Sequence, residues 1–401
     1  MNTPLSPAVN PTLESQWQTR LSQREQSQQK RRLRAPLPID FVSNDYLGWA
    51  RNLSTTASDS ANGHPFDKLA EQFSDAHGAT GSRLLSGQSA AISALESAMA
   101  QFHQTESALI FNSGFDANIG VLSAIGDRHT VFLYDELCHA SLIDGMRLSM
   151  SRTVYKFRHN DCVHLAQLLE QSTGKNVVIV LESVYSMDGD MAPLADIVSL
   201  AKKHHALIVI DEAHATGVIG AHGEGLTQSL NLHSDVAVRI HTFGKGIGCH
   251  GAVVVGSQVL IELLINFARP FIYSTALPPS SYAHIARAYA RLQTDAQKQA
   301  QAQLHERIAH FTHRIHRYDW QSLAVHWLDS MTPIQGLVIG DVPRTHRVVE
   351  QIHAAQLDVR PIFAPTVPAG SERLRICLHA FNTHEEIDLL CRTLWEALQS
   401  P

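Results

Sequence analysis

Cysteine is scarce in this 401-residue chain: Cys138, Cys162, Cys249, Cys377 and Cys391 are odd in number, scattered, and never form a C-x-x-C pair. That usage excludes a disulfide framework and a zinc knuckle, and it suits reduced thiols in the cytoplasm. Long apolar runs are missing as well. No stretch approaches membrane-spanning length and the first residues lack a signal-peptide core, so a cytoplasmic chain with no membrane contact is expected. Charge is sparse, at 17% charged residues and a net charge of -6, which is not the basic excess of a nucleic-acid protein. The 24 histidines are many but lack metal-ligand spacing, so no metal is expected. A phosphate cradle of the form G-x-x-x-x-G-K-[ST] is absent too. "TGKN" at Thr173 and "FGKGIG" at Phe243 lack both the upstream Gly and the following Ser/Thr. Without that cradle, the "DEAH" at 211–214 cannot be a helicase box, because its Asp would have no nucleotide-bound magnesium to serve.

What is present is an ordinary globular composition, 44% hydrophobic, in a chain long enough for two domains. The first forty residues are polar and rich in Gln, Ser and Arg, and read as a helical arm carrying a basic cluster at Arg31, Arg32 and Arg34. From about Ser107, short apolar runs alternate with helical patterns. The runs are "ALIFN" at 108, "TVFLYD" at 130, "VVIVLES" at 177, "ALIVID" at 206 and "GAVVVG" at 251. This rhythm predicts an α/β sheet, mainly parallel and buried on both faces, with ligands gathering at the carboxyl ends of its strands. After about Pro278 the pattern changes to a long helical stretch, Ser280 to Tyr318, then strands and helices of a smaller α+β unit. The expected division is an arm at 1–60, a large α/β domain at 61–285 and a small α+β domain at 286–401.

Four signals sit at the ends of the apparent strands. In "FNSGFDANIG", Gly114 and Phe115 mark a strand turning into a helix whose amide end suits a phosphate. In "YDELCHASLIDG", His139 follows a strand and could stack on a planar ring. Asp211 ends a strand of apolar residues, where a carboxylate needs a partner such as a pyridinium N–H; His214 lies one turn on. Lys245 stands between Gly244 and Gly246, and a lysine in a dry, cationic pocket becomes a nucleophile toward carbonyls. Singly, each has a structural explanation: a capped helix, a core histidine, a capping Asp, a surface Lys. In this order they point to covalently held pyridoxal 5'-phosphate.

With these motifs the chain resembles the α-oxoamine synthase family of fold-type I pyridoxal phosphate transferases. The resemblance runs through "SNDYLG", "GSRLLSG", "SGFDAN", "HASLIDG", "SMDGDMAPL", "DEAHATGVIG", "TFGKGIG", "FIYSTALPP" and "PTVPAGSERLR". It implies a mainly parallel seven-stranded sheet, a homodimer with shared active sites, and pyridoxal 5'-phosphate on Lys245. It further implies Asp211 at the ring nitrogen, His139 stacked on the ring, and Ser186 and His214 near the ring hydroxyl. Gly114, Phe115 and Thr242 would hold the phosphate, joined by Thr275 from the neighbouring subunit. Arg375, with Asn44 nearby, would bind the amino acid carboxylate; Thr366 would line the acyl site, and Arg31 or Arg32 would meet the acyl donor. The implied activity is acyl transfer with decarboxylation. The motifs read most like the branch joining L-alanine to a pimeloyl thioester, of coenzyme A or acyl carrier protein, to give 8-amino-7-oxononanoate for biotin. Glycine or serine with another acyl-CoA is the alternative, and a non-catalytic partner subunit a remote one. Two positions depart from the pattern: Ile92 replaces a His common after "SG", and Phe363 replaces an Arg before "APTVP", with Arg360 three residues upstream.

Overall fold

The computed structural model describes residues 11–51 and 64–400. The first ten residues of the expected arm and its boundary at residue 60 lie outside the described residues. Among the described residues there are thirteen strands: β1 (Ile39–Asp40), β2 (Ser107–Phe111), β3 (Thr130–Asp135), β4 (Thr153–Phe157), β5 (Asn176–Glu182), β6 (Leu207–Asp211), β7 (Val238–Thr242), β8 (Ala252–Gly256), β9 (His326–Trp327), β10 (Ile334–Val338), β11 (Leu357–Asp358), β12 (Arg360–Ile362) and β13 (Arg373–Cys377).

Seven of them form the main sheet, in the order β2-β8-β7-β6-β5-β3-β4. All neighbours pair in parallel except β8, which is antiparallel to both β7 and β2. The apolar runs explain why both faces are covered. Side chains alternate along a strand, so Val178 and Val180 of β5 join one core, with Val121, Leu142 and Leu264 of the helices on that face. Val177, Ile179 and Leu181 join the opposite core, with Leu165, Ile197 and Val198.

Two strands of this sheet were not among the apolar runs read from the sequence. β4 is an edge strand with Val154 and Tyr155 exposed, so it has little apolar signal. β7 carries Arg239 and His241, both fully buried. Its Arg239 is satisfied by Gln228 Oε1 and the carbonyl of His103, a long-range arrangement invisible in a local window.

The smaller sheet is antiparallel, in the order β12-β13-β10-β9, with helices Asp295–Ile315, Val342–Ala354 and His384–Gln399 packed on it. Phe41, Tyr46 and Leu47 lie in that same core, and β1 pairs with β11, so the 39–49 segment belongs to this unit despite its distance in sequence. The expected long helix after Pro278 is two helices, Pro279–Arg291 and Asp295–Ile315, separated where Thr294 caps the second. The first packs with Phe66, Leu95 and Met99 beside the large sheet, and the second packs in the small unit. A division after residue 285 would cut the first helix; the packing instead changes between Leu292 and Ala300.

Candidate active site

The carboxyl ends of β6 and β7 and the face of β13 enclose a cavity of about 270 Å³, lined by Asn44, His139, Ser186, His214, Lys245, Arg360 and Arg375 among others. Residues from 44 to 375 therefore converge on one space. Lys245 lies in the loop joining β7 to β8, and its Nζ is 3.0 Å from His214 Nε2. Burial lowers the Lys245 pKa, with the Arg375 cation adding to it and Asp211 and Glu182 opposing. His214 is driven well below its ordinary value, first by burial and then by the Lys245 charge, so the ring is neutral. A neutral ring accepting from Lys245 at Nε2 carries its proton on Nδ1. Nδ1 faces Tyr46 Oη at 2.7 Å, and Tyr46 in turn donates to Asn44 Oδ1 at 3.0 Å.

Asp211 ends the central strand β6 and is 5% exposed. Its Oδ2 accepts from Asn118 Nδ2 at 2.7 Å and its Oδ1 from the Ala213 amide at 2.8 Å. Beside it in register is Glu182, the last residue of β5, which accepts from the His139 amide at 2.6 Å. Burial first, and then the neighbouring Asp211 charge, push the Glu182 pKa up to about 8. Glu182 therefore holds a proton at neutral pH while Asp211 keeps its two donors. Sequence reasoning missed Glu182, although two adjacent apolar runs each ending in an acid were a readable sign of it. His139 caps the helix Ala140–Leu148, with Nδ1 accepting from Ser141 Oγ at 2.7 Å, and its ring lines the cavity.

Gly114, Phe115 and Thr242 do not line this cavity but meet one another at a turn. Gly114 starts the helix Gly114–Ile125, and a Cβ on it would lie 2.2 Å from Thr242 Oγ1. Only glycine lets that helix N-terminus and Thr242 come so close, leaving amide hydrogens and a hydroxyl available to a phosphate. Phe115 is 48% exposed on the first turn. Thr275 is exposed too, and its carbonyl accepts from Asn112 Nδ2 of the same chain at 2.7 Å, two residues before Gly114. A turn for an anion, a buried acid pair and a lysine of depressed pKa together fit pyridoxal phosphate.

Arg375 is fixed on three sides, donating to the Ser186 carbonyl (2.6 Å), Asn44 Oδ1 (3.1 Å) and Cys377 Sγ (2.8 Å). A second cavity of about 390 Å³ adjoins it, lined by Lys30, Arg31, Arg32, Arg34, His346, His353, Phe363 and Thr366. Arg360 lines both cavities and is held to Asp358 at 3.1 Å. Arg32 also pairs with Glu25 at 2.9 Å. Of the two departures, Ile92 is a core residue, 4% exposed, away from both cavities, whereas Phe363 lines the second. Besides Glu182, sequence reasoning gave no role to Tyr46, whose contact with His214 is long-range, or to Arg360, which pairs locally with Asp358.

Among the described residues no helix is long and apolar enough to cross a membrane, and no group of His, Cys, Asp and Glu could hold a metal ion. Residues 47–394 match the family described as aminotransferase class I and II. The 8-amino-7-oxononanoate synthase of Emericella nidulans is 40% identical over 378 residues, covering 90% of this chain and 89% of the relative. That of Acidithiobacillus ferrooxidans is 41% identical over 361 residues, covering 90% and 88%. Among solved structures, 8-amino-7-oxononanoate synthase from Francisella tularensis has a TM-score of 0.70 at 25% identity, covering 89% of this chain and 97% of that chain. Serine palmitoyltransferase from Sphingomonas wittichii has a TM-score of 0.80 at 25% identity, covering 98% of both. The sheet order, the helices on both faces and these likenesses make the architecture that of a fold-type I transferase, and the chain belongs to the aminotransferase class I and II family.

Proposed function

We propose that the chain is a pyridoxal phosphate-dependent acyltransferase joining L-alanine to a pimeloyl thioester, giving 8-amino-7-oxononanoate, carbon dioxide and the free thiol carrier. The observation that carries this reading is the convergence of Lys245, His214, His139 and Arg375 on one cavity, with the paired strand-end acids Asp211 and Glu182 close enough to act on the Lys245 charge. Bound pyridoxal phosphate supplies an electron sink for a carbanion at the amino acid Cα. Lys245 would hold the cofactor through its aldehyde and would serve as the base at the amino acid Cα; burial and the Arg375 charge lower the pKa of its amine. Asp211 would pair with the ring nitrogen and His139 would stack on the ring, while His214 and Ser186 would lie near the ring hydroxyl. The Gly114–Phe115 turn and Thr242 would take the phosphate, with Thr275 contributed across a homodimer.

Arg375 grips the amino acid carboxylate through a charge-assisted contact, beside Asn44. The acyl donor enters through the second cavity, past Thr366, where Arg31 and Arg32 meet the anionic part of the carrier and Arg360 stands at the junction. The similarity to 8-amino-7-oxononanoate synthases supports the alanine and pimeloyl assignment. A substrate panel tests it: alanine, glycine and serine crossed with acetyl, pimeloyl and palmitoyl thioesters, each on coenzyme A and on acyl carrier protein, with thiol and carbon dioxide release as readouts. Turnover should be highest for alanine with a pimeloyl thioester. Preference for glycine or serine would reassign the substrate, and no release in any arm would make the chain a non-catalytic subunit.

A further inference from the structure

His159 follows the edge strand β4, does not line the cavity, and is held between two acids. Its Nδ1 faces Asp135 Oδ1 at 3.0 Å and its Nε2 faces Asp190 Oδ2 at 2.7 Å. Ionised carboxylates only accept, so both ring nitrogens donate and the imidazole is charged. Burial opposes that charge, but the hydrogen bonds and field of Asp135 and Asp190 outweigh it and push the pKa up to about 10. Asn160 repeats the arrangement: its amide donates to Asp135 Oδ2 at 2.8 Å and its Nδ2 to Asp190 Oδ2 at 2.7 Å.

The two acids belong to different elements. Asp135 ends β3 and is fully buried, a rigid anchor. Asp190 belongs to the 185–191 turn, closed by the Tyr185 amide on the Asp190 carbonyl (3.0 Å) and the Gly189 amide on the Tyr185 carbonyl (2.9 Å). The same turn holds β13. Asp188 pairs with Arg373 at 2.6 Å, and the Ser186 carbonyl accepts from Arg375 Nε at 2.6 Å. Arg373 and Arg375 are two apart on one strand and so share a face. The Gly189 carbonyl, meanwhile, accepts from the Ser330 and Thr332 hydroxyls.

We infer that His159 is a positioning residue for amino acid binding: its charge ties the 185–191 turn to β3, and the turn in turn sets Arg375 against the cavity. This rests on the reading that Arg375 binds the substrate carboxylate. Removing the cation leaves only the neutral donors of Asn160 bridging Asp135 and Asp190, so the turn, still held by Ser330 and Thr332 at the Gly189 carbonyl, loosens at its Asp190 end. Lys245, Asp211 and His214 lie on other elements and keep their geometry, so affinity for the amino acid falls while the chemistry persists.

The test is steady-state kinetics of holoenzyme His159→Gln, His159→Lys and Asp190→Asn, with spectroscopic titration by L-alanine and amide hydrogen exchange of residues 185–191 in the cofactor-free protein. The KM for alanine should rise roughly tenfold in His159→Gln and Asp190→Asn, the size expected for losing a charge-assisted contact. kcat at saturating alanine should stay within about twofold, titration should weaken by the same factor as KM, and exchange of the turn should quicken. His159→Lys should lose less than His159→Gln. An unchanged alanine KM, a fall in kcat at constant KM, or equal losses with Lys and Gln would overturn the inference. If His159→Gln fails to fold, Asp190→Asn, which keeps the His159–Asp135 pair, carries the test. Arg375→Lys separates the two levels. If it leaves alanine KM unchanged, the carboxylate assignment itself fails; if it raises KM while the His159 variants do not, only the clamp fails.

Discussion

At the scale of single residues, environment divides two neighbouring acids into different roles. Asp211 accepts two hydrogen bonds and stays available to a ring cation, whereas Glu182, fully buried next to it, takes up a proton. Replacing Asp211 with Asn should leave the cofactor bound but slow turnover by about 10²–10³-fold, the loss typical of one aligned electrostatic contact; cofactor absorbance and kcat check it together. Glu182 titrates near 8 in the fold against 4.5 when free, so the folded protein holds an extra proton between those values. The stabilisation it gives is complete below the lower value and is lost as pH rises through the higher one. Thermal midpoints of the cofactor-free protein should therefore fall from about pH 5 to about pH 9 more steeply in the parent than in Glu182→Gln. Parallel profiles would contradict the assignment. Asp211 and Lys245 were legible because strand ends and flanking glycines are local signals. Tyr46, 168 positions from its partner His214, was not, because nothing near it in sequence marks the contact.

At the scale of elements, the site is made by where strands stop. β5, β6 and β7 end side by side and deliver Glu182, Asp211 and Thr242 to one edge, and the helix beginning at Gly114 supplies the amide end opposite. Gly114→Ala should weaken cofactor binding by roughly tenfold while changing the thermal midpoint of the cofactor-free protein little, because the added methyl displaces Thr242 rather than core. Equilibrium titration with pyridoxal phosphate and thermal denaturation separate the two effects. Apolar strands buried on both faces were readable from the short apolar runs alternating with helical patterns. β7 was not, since its buried Arg239 and His241 break the apolar run; Gln228 and the His103 carbonyl accept from Arg239, and Thr216 meets His241 at Nδ1. The helix break at Leu292–Thr294 was missed as well, for the helical spacing continues on both sides of it and the change lies in which core each half joins.

At the scale of the whole molecule, the cavity belongs to neither packing unit. Lys245 and Asp211 come from the large sheet, Arg375 and Arg360 from the small one, and Asn44 from a segment that crosses back to the small core. Amino acid binding should therefore join the units. Saturating L-alanine should raise the holoenzyme's stability, by about 2.7 kcal/mol at a hundredfold excess over Kd, and Arg375→Ala should abolish the gain in thermal denaturation. The order of motifs along the chain carried the overall architecture, but the union of segments 44, 245 and 375 is a tertiary fact that no local window contains. All of this turns on the amine at Lys245. Incubating the protein with pyridoxal 5'-phosphate, reducing with borohydride and mapping the peptides should place the cofactor on Lys245 alone, with no adduct or turnover in Lys245→Ala. A label on a different lysine, or a coloured and active Lys245→Ala, would contradict the account.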